Sequence, residues 1–334
     1  KILWPRDPIQ KLATYYSFPS WVVSKFVSQF GINQSAKLCR ILNLRGPVTV
    51  RTNTLFLSRE DMQETLKKAN ISTTPTRISP WGLILDQGRP KGGAIHLPAI
   101  RDGLMELQDE GSQLIALSTE WNESKGPVLD YCAGSGGKTL ALATMAIKLH
   151  PNQSTPSILA WEPMESRRRH LTQRLTDLNL TDSIHILDSL DKVESKFGQM
   201  GCTLVDAPCS SSGTLRRHPQ LRWNLNSEEC EKLYPKLQRE ILANASFTVK
   251  PNGTLVYATC SIFREENEEV ANWFDREFGD KFDPWPHSLQ LQSNSAHHAS
   301  CDSMTSTASH FTTLTPHDHG TDGFFIARWR RKAG

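Results

Sequence analysis

The chain has 334 residues, 38% hydrophobic and 22% charged, with no apolar run long enough to cross a bilayer, which excludes the disordered, fibrous and helical membrane-spanning classes. Its formal net charge of +3 argues only weakly for a polyanionic partner, so the distribution of charge matters more than the total. The cysteines, Cys39, Cys132, Cys202, Cys209, Cys230, Cys260 and Cys301, are scattered and form no C-x-x-C pair, so neither a zinc site nor a disulfide framework is expected and a reducing compartment is.

From Asp7 to Leu44 the apolar residues recur at helical spacing, with Pro8 and Pro19 near helix starts. Residues 1–46 therefore read as a short helical segment. A small α+β module follows over 47–107. Val48 to Arg51 reads as a strand, Ser58 as the N-cap of a helix over Arg59 to Ala69, and Trp81 to Leu85 and Ala94 to Leu97 as further strands, an order suited to ferredoxin-like or RNA-recognition modules.

Residues 108–334 form the larger unit. Strands are expected at Val128 to Asp130, Ile158 to Glu162, His185 to Leu187, Thr203 to Asp206 and Thr254 to Thr259. Helices are expected near Leu114 to Trp121, Thr139 to Leu149, Ser166 to Leu178, Glu228 to Val249 and Glu265 to Phe278. That alternation predicts an α/β fold with a doubly wound, Rossmann-like sheet, which Phe324 to Arg328 closes as an antiparallel edge. Residues 288–319, rich in Ser, Thr and His, read as a mobile polar insertion whose histidines lack metal-ligand spacing.

Two stretches carry the chemistry. Gly253 to Ser261, GTLVYATCS, is a buried strand that delivers Cys260 to its C-terminal edge, where open α/β sheets place their sites. Val128 to Thr139, VLDYCAGSGGKT, is a strand, a glycine loop and a helix start, whose free amides can meet an anionic group. The phosphate-loop pattern fails because Cys132 stands at its first glycine, and the dinucleotide pattern fails because Lys138 and Thr139 follow Gly136 and Gly137. An S-adenosyl-L-methionine loop fits better, made by Cys132, Ala133, Gly134, Ser135, Gly136, Gly137 and Lys138. Glu162 stands where an acid takes the ribose hydroxyls, Asp188 where one meets the adenine, and Arg167 near both. Each acid alone is more often an N-cap or a solvated carboxylate, but three at successive strand ends, with Asp206 at a fourth, point to a shared ligand.

Leu204 to Gly213, LVDAPCSSSG, adds Asp206 and a second thiol, Cys209, at the same edge. With VRTNTLFLSRED, LQDEGSQL, VLDYCAGSGGKT, LVDAPCSSSGTLRRHPQLRW, GTLVYATCSIFREEN and DGFFIARW, the sequence from Tyr15 to Arg328 resembles the RNA cytosine-5 methyltransferases of the Sun type, on their bacterial ribosomal RNA side. The resemblance implies that Cys260 attacks the base, that Cys209 assists product release and that the loop, Glu162, Asp188 and Asp206 hold the cofactor. It departs from the family at Gly134-Ser135, commonly Ala-Pro, and at Glu162, commonly Asp. It also implies a larger helical N-terminal domain, of which only the last part is expected here.

Asp206, just before Ala-Pro-Cys, is expected to meet the base edge on which charge develops. RNA is expected to dock on the small module and on basic clusters at Arg167 to Arg174, at Arg216, Arg217 and His218, and at Arg328 to Lys332. Trp223 is placed to stack on a base or to anchor the next helix. The expected protein is a monomer with an RNA partner and no membrane partner. Its expected location is cytoplasmic, with an organelle left open because the chain starts at Lys1. DNA cytosine methylation would leave Thr259-Cys260-Ser261 unexplained. A transfer RNA methyltransferase and an RNA-binding assembly factor with little turnover remain alternatives.

Overall fold

The computed structural model describes residues 4–90, 92–146, 158–286 and 309–334. The chain opens with α1 (Pro8–Tyr16) and α2 (Ser20–Leu42). Asp7 caps α1, accepting from the Gln10 amide at 2.8 Å, with Pro8 in the first turn. Helix α2 bends at Gly31, whose φ of 73° leaves the helical region. Their apolar faces, led by Val22, Phe26 and Leu38, pack on Leu215, Ile262 and Phe263 of the large domain, so the helical segment covers the loops that follow both catalytic-edge cysteines.

The small module comprises β1 (Thr49–Thr52), α3 (Arg59–Lys68), β2 (Thr73–Pro75), β3 (Gly82–Leu85), α4 (Pro98–Arg101) and β4 (Met105–Leu107), and its antiparallel sheet runs β2-β3-β1-β4. Ser58 caps α3 as expected, accepting from the Asp61 amide at 3.0 Å. The strand expected at Ala94 to Leu97 is instead a 3-10 turn over Ala94–His96. Gly92 and Gly93, at φ of 84° and 98°, turn the chain before it, and Pro98 starts α4 directly after.

The large domain contains α5 (Glu110–Ser118), β5 (Val128–Asp130), α6 (Gly137–Ala146), β6 (Ile158–Trp161), α7 (Glu165–Asp177), β7 (Ile184–Leu187), α8 (Leu190–Glu194), β8 (Met200–Asp206), α9 (Leu221–Asn224), α10 (Tyr234–Ser246), β9 (Val249–Thr259), α11 (Glu268–Phe278), β10 (Phe282–Pro284), β11 (Phe311–Leu314), α12 (Pro316–His319) and β12 (Phe324–Arg331). Its sheet runs β7-β6-β5-β8-β9-β12-β10, with β11 also on β12, and is parallel from β7 to β9. Strand β12 returns antiparallel beside β9, with Phe325 opposite Thr259. The β5, β6, β7 run and the β8, β9 run leave in opposite directions, which puts the switch point between β5 and β8.

Alternation along the strands builds a core on each face of this sheet. Val256, Ala258, Phe324 and Ile326 pack beneath α5 and α6, while Leu255, Tyr257, Phe325 and Trp329 meet α10 and α11. The polar insertion expected at 288–319 ends earlier than that reading. Residues 288–308 lie outside the described residues, but 311–319 form β11 and α12, because Phe311 to Leu314 can pair with the exposed edge of β12.

Arg216 and Arg217 are tied into the interior by Asp109 and Asp322. Asp322 accepts from the Nε of each, and Arg217 reaches Asp109 at 2.7 Å. Side-chain exposures of 5% for Arg216 and 2% for Asp322 make this a buried charge cluster. Removing Asp322 takes the acceptor from the Nε of both guanidinium groups and leaves Asp109 as their one carboxylate. Asp322→Ala is expected to cost about 3 kcal/mol of stability, measured by urea unfolding. A loss under about 0.5 kcal/mol would show that the cluster is effectively solvated.

Candidate active site

Parallel strands bring their C-terminal ends to one edge, where four candidates meet, Asp206 as the last residue of β8 and Glu162, Asp188 and Cys260 as the first residues after β6, β7 and β9, together with Asp130, the last residue of β5, which the sequence reading did not single out. The loop after β5 turns through Gly134 at φ 56° and Gly136 at φ 89°, conformations that side chains resist. A Cβ on Gly134 would point into open space, whereas one on Gly136 would strike Leu171 at 2.4 Å. Gly136 is thus needed for packing, and Gly134 borders a cradle that a ligand can enter.

The acids around that cradle fit the expected cofactor. Glu162 is buried, with Oε2 accepting from the Gly134 amide at 2.9 Å and Oε1 from the Met164 amide at 2.8 Å. Each oxygen keeps a lone pair for a hydroxyl donor. Asp130 accepts from Thr139 Oγ1 at 2.7 Å through Oδ2, while among the described residues no hydrogen bond reaches its buried Oδ1. Burial pushes the Asp130 carboxyl up to about 6, and a cationic ligand group would counter that shift. Asp188 is exposed at the rim and hydrogen-bonded to Lys192 at 2.9 Å, which pulls its pKa down. Arg167 is exposed on α7. Its neighbour Arg168 is the arginine that returns to the cradle, donating to the Glu162 carbonyl at 2.8 Å.

The two thiols lie together. Cys209 and Cys260 are half-buried, with their Sγ atoms 3.2 Å apart, and Cys260 Sγ lies 3.4 Å from Ser211 Oγ. A donor beside a thiolate favours ionisation, and only one partner of such a pair can ionise easily. The hydrogen bond from Cys209 is the main cause that draws the Cys260 pKa down; burial opposes it, and Ser211 and the Lys138 charge assist. The same contact, reinforced by burial, drives Cys209 up. The two thiols are therefore pushed in opposite directions, Cys260 toward ionisation and Cys209 away from it.

Lys138 plays a part the sequence does not reveal. Its ammonium lies 2.5 Å from Asp206 Oδ2 rather than free in the loop. Burial alone would lower the Lys138 pKa, but the charge and hydrogen bond of Asp206 outweigh it and the net direction is upward. Ser211 also went unnoticed, because only the meeting of two loops places it on Cys260. The Cys132 thiol is pushed well up by burial.

The expected phosphate-holding role of Arg216 and Arg217 is corrected by their pairing with Asp109 and Asp322, as is that of Arg328, which is buried, bonded to Glu120 at 2.8 Å and stacked on Trp285. Of the first cluster, Arg174 is ion-paired with Glu106 of β4 and also donates to the Ser135 carbonyl. Trp223 stays 63% exposed and so available for stacking, whereas Arg222 is the anchor, lying 4.1 Å over the Phe18 ring.

A doubly wound sheet with a glycine loop, acids at successive strand ends and a loop lysine held by Asp206 rather than left free for a phosphate defines a Rossmann-like methyltransferase. The chain belongs to the RsmB/F family of 16S rRNA methyltransferases, whose model matches residues 114–330, and the ferredoxin-like domain model of the same proteins matches residues 18–91. It is an RNA methyltransferase, and its cofactor is S-adenosyl-L-methionine. It is 32% identical over 328 residues to a probable ribosomal RNA small subunit methyltransferase B of Synechocystis sp., covering 96% of this chain and 68% of that protein. It is 29% identical to a 28S rRNA (cytosine-C(5))-methyltransferase of Mus musculus, covering 96% of this chain and 40% of that one. The crystal structure of PH0851 superposes with a TM-score of 0.79 at 26% identity, covering 98% of this chain and 69% of its own. Among the described residues no helix is long and apolar enough to cross a membrane.

The split between the thiols is measurable without RNA. Alkylation of Cys260 by iodoacetamide, followed peptide by peptide across a pH series, is expected to reach its half-rate below the ~8.5 of an ordinary cysteine. Cys209→Ala removes the donor to the thiolate, so the half-rate pH should rise, by about one pH unit. An unchanged or lower value would refute the assignment of Cys209 as donor.

Proposed function

We propose that this protein forms 5-methylcytosine in RNA, most fittingly ribosomal RNA, with Cys260 as nucleophile and Cys209 as the group that releases the product. The observation that carries the reading is the 3.2 Å contact between two thiols that follow adjacent parallel strands beside a cofactor cradle. The ribosomal substrate is favoured by the names of the relatives, which are rRNA methyltransferases.

Cytosine C5 is a weak nucleophile because the aromatic ring resists giving up electron density. Addition of the Cys260 thiolate at C6 turns C5 into an enamine-like carbon. The Gly134 loop, Glu162 and Asp130 would hold S-adenosyl-L-methionine, whose sulfonium methyl would be available to C5 with the thioether as leaving group. Asp206, with its Oδ2 fixed by Lys138, faces the N3 and N4 edge and steadies the proton and charge on that edge while Cys260 is bonded. Removal of the C5 proton then drives the electron pair back into the ring and expels Cys260 from C6. Once Cys260 is committed to carbon, Cys209 passes its own proton to solvent and, as thiolate, takes the C5 proton. Reaching C6 from the ring face needs an unstacked base, so loops and partly unfolded RNA are the favoured targets.

The test is incubation of the full chain with labelled cofactor and unmodified ribosomal RNA. Cys260→Ala should lose transfer by at least about a thousandfold, as expected when a covalent nucleophile is removed, while Cys209→Ala should accumulate a denaturant-resistant protein–RNA adduct. An active Cys260→Ala enzyme would overturn the nucleophile, and absence of the adduct would overturn the release role. Methylation confined to transfer RNA would overturn the ribosomal substrate.

A further inference from the structure

Glu266 is a fully buried carboxylate two residues before α11, with no part in the chemistry above. Its surroundings are all donors. Oε2 accepts from the Ser210 amide at 2.8 Å and from Gln238 Nε2 at 3.0 Å, and Oε1 accepts from Ser261 Oγ at 2.7 Å and from Ser210 Oγ. Ser210 directly follows Cys209, and Ser261 directly follows Cys260.

The direction of these hydrogen bonds is fixed by the backbone. Ser210 Oγ accepts from the Ser212 amide at 3.3 Å, and Ser261 Oγ accepts from the Phe263 amide at 3.1 Å. Ser212 Oγ accepts from the Ile262 amide at 3.0 Å and lies 2.9 Å from Ser261 Oγ. An ionised carboxylate can only accept, so the Ser210 and Ser261 hydroxyl protons both point to Glu266 while their oxygens take the amides. Burial raises the Glu266 carboxyl, and the two serines, the Ser210 amide and Gln238 draw it back.

We infer that Glu266 is the positioning residue that clamps the Cys209 loop to the Cys260 loop, and that its carboxylate, as terminal acceptor for both serines, holds the two sulfurs within reaction distance. Among the described residues, no other carboxylate takes hydrogen bonds from the residues next to both cysteines. Gln238 braces the same loop from α10, donating also to the Pro208 carbonyl at 3.0 Å. A glutamine at 266 would preserve volume but not polarity. With its amide at Oε2 it faces the Ser210 amide, which cannot reverse, and turns Gln238 away from the Pro208 carbonyl, and at Oε1 it forces both hydroxyls to turn.

The inference deepens the methyl-transfer reading and rests on it for its kinetic part, so the test begins with a readout that needs neither RNA nor cofactor. Diamide takes two electrons and two protons from a thiol pair, becoming the hydrazine and leaving a disulfide. In the full wild-type chain it should join Cys209 to Cys260 rapidly, scored by peptide mass spectrometry. In Glu266→Gln, with an unchanged circular dichroism spectrum, the rate of that bond should fall about tenfold, and kcat should fall by about as much with the KM for RNA within about twofold. Ser210→Ala and Ser261→Ala, each cutting one side of the clamp, should slow disulfide formation in the same direction, and they decide the matter if Glu266→Gln does not fold. Wild-type disulfide rates in the folded variants would overturn the clamp, as would wild-type Cys209 and Cys260 that diamide leaves free. A slowed disulfide in a protein whose wild type methylates no RNA would uphold the clamp and overturn the methyl-transfer reading instead.

Discussion

The parallel pairing of β8 with β9 is the constraint on which the site depends. Asp206 stands opposite Ala258 in that register, and the ladder continues one step further through the Ala207 amide, which donates to the Ala258 carbonyl at 2.9 Å. Cys209 lies three residues past Asp206 and Cys260 two past Ala258, so loops of nearly equal length leave the sheet side by side. A slip of one residue would turn every side chain of β9 to the opposite face and exchange its two sets of core contacts. The alternating burial of Leu255 and Tyr257 against one core and Val256 and Ala258 against the other makes that slip costly. The position of the thiols is thus secured by apolar packing well away from them.

Loops leaving a sheet together still need to be held together, and the chain does this with backbone contact as well as with charge. Gly213 and Gly323 pass so closely that a Cβ on Gly213 would lie 2.1 Å from the Gly323 carbonyl oxygen, and the Gly323 amide donates to Gly213 O at 2.9 Å. The Gly213 amide donates in turn to the Cys260 carbonyl at 2.9 Å. Three segments distant in sequence, the Cys209 loop, the Cys260 loop and the start of β12, therefore share one bonded core. The small module is joined to the cofactor side by a separate set of contacts. Arg51 of β1 reaches Glu106 at 2.8 Å and Gln108 at 2.7 Å, Glu106 pairs with Arg174 of α7, and Gln108 donates to the Gly137 carbonyl at 3.2 Å. RNA docked on that module and cofactor held in the glycine loop would act on one connected network, which gives the two binding events a physical route to influence each other.

Much of this was legible because strand ends and glycine loops leave local marks. The alternation of strands and helices, the helix start at Pro8, the cap at Ser58 and the thiols at Cys209 and Cys260 all follow from short-range patterns. The expectation failed where an apolar run carried no long-range information: Ala94 to Leu97 looks like a strand until the glycines before it and Pro98 after it are given their conformations. The edge strand Thr73–Pro75 was missed because a proline sits in it, and β11 because its Thr-rich run resembles the polar stretch before it. Basic clusters misled for a different reason. Arg216 and Arg217 look like a phosphate grip until Asp109 and Asp322, distant in sequence, are found beneath them.

Glu266 shows why the interior of a site is harder to read than its chemistry. In sequence it belongs to an acidic run, Glu265-Glu266-Asn267-Glu268-Glu269, that reads as the solvated start of a helix. In the fold the run divides by direction. Glu265 meets Lys25 of α2, Asn267 accepts from Thr259 Oγ1 at 2.6 Å and donates to the Ser261 carbonyl at 2.9 Å, and Glu266 points inward to the serines. A carboxylate without a cation beside it is tolerated in the interior only when donors surround it. Those donors are serines beside the two cysteines, so the cost of burying the charge is offset only when both loops are in place. The same condition that makes Glu266 stable therefore makes the thiol pair, and an acid that reads as surface charge becomes the residue on which the geometry of the two cysteines turns.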